Sequence, residues 1–187
     1  VPTSRVDLGK VLGAIPAAAE WSGDGEIAVQ AEFSGTAGSW EAAGVISLRD
    51  VRLANEAMGL TIRGLNGDLQ WTFAGGVFST LPGQVLTFLE IETGAATAGP
   101  GELEFELVSP EELRVTLAVL HWAGGRLSAG DFSFRPSSPD FSVRLFATGI
   151  QLGALLAQVP ELGAKGSGTI DGELAVGIRT EGLRLEG

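Results

Sequence analysis

Apolar and polar residues alternate with a period of two along most of this chain, and this alternation limits the possible folds more than any other feature. In the segment GELEFEL, Leu103, Phe105 and Leu107 alternate with three glutamates. The segment LRVTLAVLHW continues the pattern, and the connection VSPEE between the two contains Pro110. Successive side chains of a β-strand point to opposite faces of a sheet, so each segment is predicted to be a strand with one apolar and one wet face. The sequence therefore predicts a β-hairpin over residues 102–122.

The same pattern predicts a mostly β fold with very little helix. Glycine accounts for 28 of the 187 residues, about twice its usual share, and the glycines lie between the alternating runs, as turns and bends require. The pairs Pro82-Gly83 and Gly124-Gly125 are predicted to lie at turns or sharp bends. Besides the hairpin, strands are predicted at Glu26–Phe33, Trp40–Leu53, Gly59–Ile62, Gly67–Phe73, Val85–Thr93, Gly125–Phe134, Phe141–Thr148, Gly168–Arg179 and Gly182–Leu185.

Two short segments depart from the period of two. Between residues 150 and 159 the apolar residues follow the three-to-four spacing of a helix, and Pro160 ends the pattern. This spacing predicts an amphipathic helix from about Gln151 to Gln158. The segment DLGKVLGAIP shows the same spacing before Pro16. We therefore predict short helices that end near Pro16 and Pro160.

These two helical segments open an internal repeat. Residues 7–35 match residues 151–182 in the same order, with Leu-Gly, a leucine, a proline, Asp-Gly-Glu and then a strand. Chance matches in a chain rich in glycine and leucine are the alternative explanation. Repeated units of helix and strands are typical of arrays in which each unit stacks on the next. We therefore predict that residues 1–187 form one β-rich segment of a longer repeat protein.

The charge and the residue inventory exclude several functions. The formal net charge of −11 opposes binding to nucleic acid, because that affinity comes mostly from lysine and arginine. The chain has no cysteine, which excludes disulfides and thiolate metal sites. The longest uncharged stretch, 69–89, contains glutamines, glycines and a proline, so we predict no transmembrane span. The first residues lack the pattern of a secretory signal, and we expect an excised segment or a mature fragment.

The residues that could carry catalysis are few. His121 is the only histidine, and no serine or aspartate near it forms a recognisable triad, so a structural role is favoured. Asp24 and Glu26, like Asp171 and Glu173, have a spacing that could pair them for acid–base chemistry or Ca²⁺ binding. Their position at turn-to-strand junctions instead favours solvated turn residues. We predict no catalytic residue, no metal site and no cofactor.

Four sequence marks occur in an order that is similar to a known family. They are the turn TLPGQ at 80–84, GGRL at 124–127, the segment LGALLAQVPEL, and the glycine-rich GSGTIDGEL before the last strands. Over residues 60–187 the chain resembles the C-terminal region of the YdbH family, whose domain carries the older label "dicarboxylate transport". A site for small dianions would need converging cations, whereas the twelve lysines and arginines are mostly dispersed. The residues do not support that label.

The resemblance implies both a fold and a function. YdbH proteins resemble the AsmA and TamB envelope proteins. The resemblance therefore implies a curved antiparallel β-sheet or groove of a repeating β-array. It also implies a location in the periplasm or cell envelope of a Gram-negative-type bacterium. The implied function is to bind or conduct phospholipid between membranes. From the few residues that could carry catalysis, we predict that the chain is not an enzyme.

We predict that the apolar rows of the strands form this groove. The candidate groove residues are Leu103, Phe105, Leu107, Leu113, Val115, Leu117, Phe132, Phe134, Val143 and Leu145. The predicted partners are phospholipid acyl chains, and other envelope proteins are further candidates. In the alternative, the same residues meet a second layer and form a closed core, and the segment is a purely structural β-repeat or partner-docking module.

Overall fold

The computed structural model of the chain consists almost entirely of β-strands. It describes residues 4–5, 20–36, 39–57, 59–94, 96–135, 141–158, 163–179 and 182–186. The elements are β1 (Ser4–Arg5), β2 (Trp21–Thr36), β3 (Ser39–Asn55), β4 (Leu60–Ala74), β5 (Val77–Thr80), β6 (Gln84–Phe88), β7 (Glu90–Thr93), β8 (Ala96–Ala98), β9 (Gly101–Ser109), β10 (Glu112–Trp122), β11 (Gly125–Ala129), β12 (Phe132–Phe134), β13 (Phe141–Gln151), α1 (Leu152–Ala157), β14 (Thr169–Arg179) and β15 (Gly182–Glu186). The predicted mostly β fold class is confirmed.

The strands form one open, curved antiparallel sheet. Its strand order is β1-β2-β3-β4-β6-β9-β10-β11-β13-β14-β15. The shorter strands lie off this path, with β5 and β7 pairing with β4, β8 pairing with β7, and β12 pairing with β10. In the described part of the chain β1 pairs with β2 and β15 with β14, and these two end strands do not pair with each other. Over the residues that the structure describes, the sheet is therefore open.

Several strand boundaries differ from the expected ones because neighbouring segments pair with different partners. The segments expected at Gly59–Ile62 and Gly67–Phe73 form the single strand β4. The run expected at Val85–Thr93 divides at Leu89, because β6 pairs with β9 whereas β7 pairs with β4 and β8. The run expected at Gly125–Phe134 divides near Asp131, whose φ is 54°.

The predicted helix before Pro160 is present. Helix α1 covers Leu152–Ala157 and follows β13 directly, within the range expected from the apolar spacing. Pro160 itself and the whole helix predicted before Pro16 lie outside the described residues. The internal repeat stays a prediction.

The pairing register divides the sheet into two faces. Residues directly opposite each other in an antiparallel pair point to the same side. Leu103 is paired with Leu86 on one neighbouring strand and with Ala118 on the other. Glu104 is paired with Val85 and points the other way. We call the side of Leu103 the apolar face and the side of Glu104 the charged face.

Both hydrophobic clusters of the described chain lie on the apolar face. The first has Ile27, Val51 and Leu65 at its centre, packed against Val29, Ile46, Leu48, Leu53, Ile62, Leu86 and Phe88. The second has Ala129, Val143 and Val176, packed against Ala118, Phe132, Phe141 and Leu145. The sheet is thus stabilised by burial along one of its faces.

Glycine is required at turns and where neighbouring strands approach closely. Gly83 and Gly124 have φ angles of 71° and 75°, values that favour glycine, so the predicted turns at these two residues are confirmed. Gly44 lies inside β3, and a Cβ atom there would collide with the backbone oxygen of Gln30 on β2. The long β2–β3 hairpin therefore depends on this position having no side chain.

Candidate functional site

Charged side chains are confined to one face of the sheet. At the paired positions of β2 to β13, each charged residue falls on the charged face, as Arg49 opposite Glu26 and Arg114 opposite Glu106 illustrate. Several form ion pairs there. Arg49 Nη2 lies 2.7 Å from Asp68 Oδ1. The apolar face carries no charged side chain at these positions, so it is the surface of the described chain best suited to apolar ligands.

Polar residues on the apolar face are few, and their side chains mostly accept hydrogen bonds from backbone amides. Gln84 and Thr80 are buried. The Gln84 Oε1 accepts a hydrogen bond of 2.6 Å from the Gln70 amide, and the Thr80 Oγ1 accepts one of 2.8 Å from the Leu107 amide. These bonds join β4, β5, β6 and β9, where β4 and β6 share the single residue pair Asn66–Thr87. The polar atoms of Gln84 and Thr80 are therefore used within the sheet, and the face stays apolar where β4, β5, β6 and β9 meet.

Nine of the ten candidate groove residues lie together on the apolar face. Leu107 is paired with Leu113, and Phe105 with Val115. On the other side of β10, Phe134 is paired with Leu113 and Phe132 with Val115. The remaining three share the same face: Leu103 is paired with Ala118, while Val143 and Leu145 belong to the second hydrophobic cluster.

Leu117 is the exception, and the expected common face is wrong for this residue. The β9–β10 register shifts between Val115 and Leu117, so that Leu117 lies opposite Glu104. This β-bulge inserts one extra residue into β10 and reverses which side chains point to each face. Leu117 therefore lies on the charged face. It borders a depression of about 430 Å³ there, together with His121 and Arg126.

The apolar face is only partly covered by the rest of the chain. Val115 is 2% exposed, and Phe105 and Val143 are also buried. Other residues of this face remain open to solvent, with Leu174 at 45% and Trp40 at 55% exposure. A sealed core would bury such residues, so the exposure favours an open surface over a closed one.

The alternation also identifies apolar residues beyond the ten candidates. Ile27 and Val29 on β2 and Ile46 and Leu48 on β3 continue the apolar face toward the start of the chain. The strands predicted at Glu26–Phe33 and Trp40–Leu53 already contained this signal. The groove candidates could therefore have been extended to these residues of β2 and β3 from the sequence alone.

The residues considered for catalysis lie on the charged face or near its edge. His121 is exposed and paired with Arg126. The Asp171 Oδ1 accepts a hydrogen bond of 2.7 Å from the Gly149 amide, and Asp24 lies 3.7 Å from Arg52. In the part of the chain that the structure describes, no group of three histidine, aspartate or glutamate residues is placed to hold a metal ion. The hydrogen bond between Gly149 and Asp171 stabilises the bulge in β13, and the contact between Asp24 and Arg52 joins β2 to β3.

Comparison with known families assigns this chain, with its open sheet and single apolar face, to a family. The sequence model of the YdbH-like family, described as intermembrane phospholipid transport protein YdbH, matches residues 6–187. The chain belongs to the YdbH-like family. A search of curated proteins found no match, and neither did a search of solved structures.

Membership of the YdbH-like family connects the chain with intermembrane phospholipid transport in general, and hence with the cell envelope. The family is named for transport and not for a catalytic activity. No helix in the described ranges is long and apolar enough to cross a membrane. The YdbH-like match covers the first third of the chain as well as residues 60–187, where the sequence resemblance was strongest.

Proposed function

We propose that the apolar face of this sheet binds phospholipid acyl chains, as one segment of a longer β-groove that conducts lipid between the two membranes of the envelope. One observation carries the proposal. The apolar face is continuous across the sheet, free of charge at its paired positions and partly open to solvent, whereas the opposite face holds the ion pairs. An acyl chain placed on the apolar face would take the place of a missing second layer.

Burial of an acyl chain outweighs the negative charge of the protein. Each CH₂ removed from water contributes about 0.8 kcal/mol, so a chain of about 16 carbons contributes on the order of 12 kcal/mol before ordering costs. Repulsion between an anionic headgroup and one surface carboxylate is on the order of 1 kcal/mol and is screened by salt. A net charge of −11 is therefore compatible with lipid binding.

A structural role is the second candidate, and the buried residues favour it. Val115, Phe105 and Val143 are buried by the chain itself, so part of the apolar face already serves as a core. If the whole face served that purpose, the segment would hold an envelope protein together or dock a partner without contacting lipid.

Two residues with equal exposure, one on each face, allow an experiment to distinguish lipid binding from a purely structural role. Leu174 on the apolar face and Phe146 on the charged face are each 45% exposed. Phe146 is paired with Glu173, directly beside Leu174 in the sequence. The experiment compares Leu174→Asp with Phe146→Asp, using circular dichroism for the fold and crosslinking to a photoactivatable phosphatidylethanolamine for lipid contact.

We expect Leu174→Asp to remain folded and to lose at least five-fold in crosslinking, because a charge would then lie in the acyl path. Phe146→Asp should crosslink like the unchanged chain. Unfolding of Leu174→Asp alone would favour the structural module. Equal crosslinking in all three proteins would remove the apolar face from the lipid path.

A further inference from the structure

One arginine of the charged face has no acidic partner. The arginines that form an ion pair with a carboxylate are Arg49, Arg52, Arg63, Arg114, Arg135 and Arg144. Among the arginines whose side chains the structure describes, Arg126 alone forms none. The chain has 23 acidic residues and 12 lysines and arginines, so an arginine without a carboxylate is the exception. Arg126 is also exposed, and its guanidinium is therefore available to a ligand.

Arg126 borders the depression of about 430 Å³ on the charged face. His121 lies directly opposite Arg126 on β10, and the side chains of such a pair begin about 5 Å apart. A guanidinium donates several hydrogen bonds and an imidazole at least one. A second depression of about 310 Å³ adjoins the first, because Leu89 and His121 line both. The depression thus has neighbouring hydrogen-bond donors on one side.

The depression also has an apolar side, although it lies on the charged face. Leu117 and Val119 line it because the bulge at Thr116 turns both side chains toward this face. Leu89 lines it as well and is 66% exposed. Ligand pockets typically combine apolar side chains with a few polar groups that fix the orientation of the ligand. The depression has both kinds of residue.

Glu102 limits the charge that a ligand of this depression could carry. It lines the depression and is paired with Val119. Val119 is paired in turn with Ser128, two residues from Arg126. The Cα atoms of Glu102 and Arg126 are therefore about 12 Å apart. One anionic group could bind Arg126 without meeting Glu102, whereas a second anionic group at the far end of a ligand would be repelled.

We propose that this depression binds a single-chain amphipathic anion, with one carboxylate at Arg126 and its hydrocarbon along Leu89 and Leu117. The planar guanidinium matches the two oxygens of a carboxylate, and the hydrocarbon is removed from water. Ligand pockets range over about 300–1,000 Å³, so a depression of about 430 Å³ suits one chain better than the two of a phospholipid. The site lies on the face opposite to the proposed lipid path and does not depend on it.

The single histidine of the chain allows a direct test. His121 is the only imidazole, so its Cε1–H signal in NMR spectra reports on this site. The protein is titrated at constant pH with octanoate, with acetate, which has the charge without the chain, and with octanedioate, which has a carboxylate at each end. We expect a saturable shift with octanoate and binding at least five-fold weaker for the other two. Equal binding of acetate or of octanedioate would overturn the proposed ligand class.

Arg126→Gln and Arg144→Gln form a matched pair, because they remove the same charge from the same face. We expect Arg126→Gln to weaken octanoate binding at least five-fold and Arg144→Gln to weaken it less than two-fold. Equal losses would mean that the general charge of the face attracts octanoate, and they would overturn the site. Leu174→Asp on the apolar face should leave the titration unchanged. A loss in that variant would place octanoate on the proposed lipid path instead.

Leu89→Ser tests the apolar side of the depression. Because Leu89 is 66% exposed, we expect this variant to remain folded, which circular dichroism checks. Octanoate binding should weaken at least three-fold, because less hydrocarbon is removed from water, while the response to acetate should stay the same. Unchanged octanoate binding in Leu89→Ser would overturn the proposed position of the hydrocarbon. The absence of any saturable shift in the unchanged protein would overturn the site as a whole.

Discussion

The two faces of this sheet are stabilised by different interactions. On the apolar face, the two clusters around Val51 and Val143 bury aliphatic and aromatic side chains. On the charged face, the ion pairs join residues that remain largely exposed, such as Arg63 and Glu90, whose closest atoms are 2.6 Å apart. Exposed ion pairs contribute about 0–1 kcal/mol each, whereas a fully buried aliphatic side chain contributes about 1.5–3 kcal/mol. The apolar face therefore supplies most of the stability.

This difference explains how one face can serve both folding and lipid binding. Its central residues, such as Val115, are buried by the chain itself. Its outlying residues, such as Leu174 and Trp40, remain exposed. The buried residues maintain the sheet, and the exposed ones are available to a ligand. Substitutions should therefore act on stability at the first group and on lipid contact at the second.

The largest expected difference between the faces is at β10. Val115→Asp would place a carboxylate at a position that is 2% exposed, with no cation at the paired positions of that face. We expect unfolding, or a loss of more than about 4 kcal/mol, because an unpaired charge would be buried. Leu117→Asp, two residues away on the charged face, should cost less than about 1 kcal/mol. Urea denaturation of both variants measures the difference.

Equal losses at the two residues would contradict the bulge at Thr116. The alternation alone predicts that Val115 and Leu117 share a face, so it predicts similar losses. A mild effect at Val115 together with unfolding at Leu117 would mean that Leu117 lies on the apolar face and Val115 on the charged face. The pair therefore tests the face assignment independently of any lipid.

A smaller difference is expected when side chains are shortened. Leu65 is buried in the first cluster, beside Val51 and Ile27, and Leu65→Ala should destabilise the chain by about 2–5 kcal/mol because it leaves a cavity. Val85 is exposed on the charged face, opposite Glu104. Val85→Ala should change the free energy of unfolding by less than about 0.5 kcal/mol. Similar melting temperatures for the two variants would contradict a one-sided core.

Much of the fold could be predicted from the sequence, because strand formation and helix spacing are local. The hairpin at 102–122 is present as β9 and β10, and α1 lies where the three-to-four spacing placed it. The turn at Gly83 also follows from local chemistry. The family resemblance supplied the open sheet and the link to lipid, which alternation alone left undecided against a closed core.

The remaining features depend on pairing between strands. The bulge in β10 has no signal in LRVTLAVLHW, since apolar residues continue on both sides of Thr116. The strand pairing likewise brings together residues as distant in sequence as Phe33 and Phe78, through Ala42 and Phe73. Neither could be found without the register. Sequence alternation places a residue on a face only until the first bulge.

The smallest expected effect concerns an ion pair of the charged face. Hydrogen bonds from Ser47 and Arg49, together with the positive charge of Arg49, lower the pKa of Asp68 below its ordinary value. A carboxyl whose pKa is lower in the folded than in the unfolded chain adds stability above its unfolded pKa and loses it as the pH falls through the folded value. Because Asp68 is more than half exposed, Asp68→Asn should cost less than about 1 kcal/mol at pH 7. Melting temperatures should show this difference at pH 7 and none once the pH falls below the folded pKa. A difference that grows in acid would contradict the assigned ion pair.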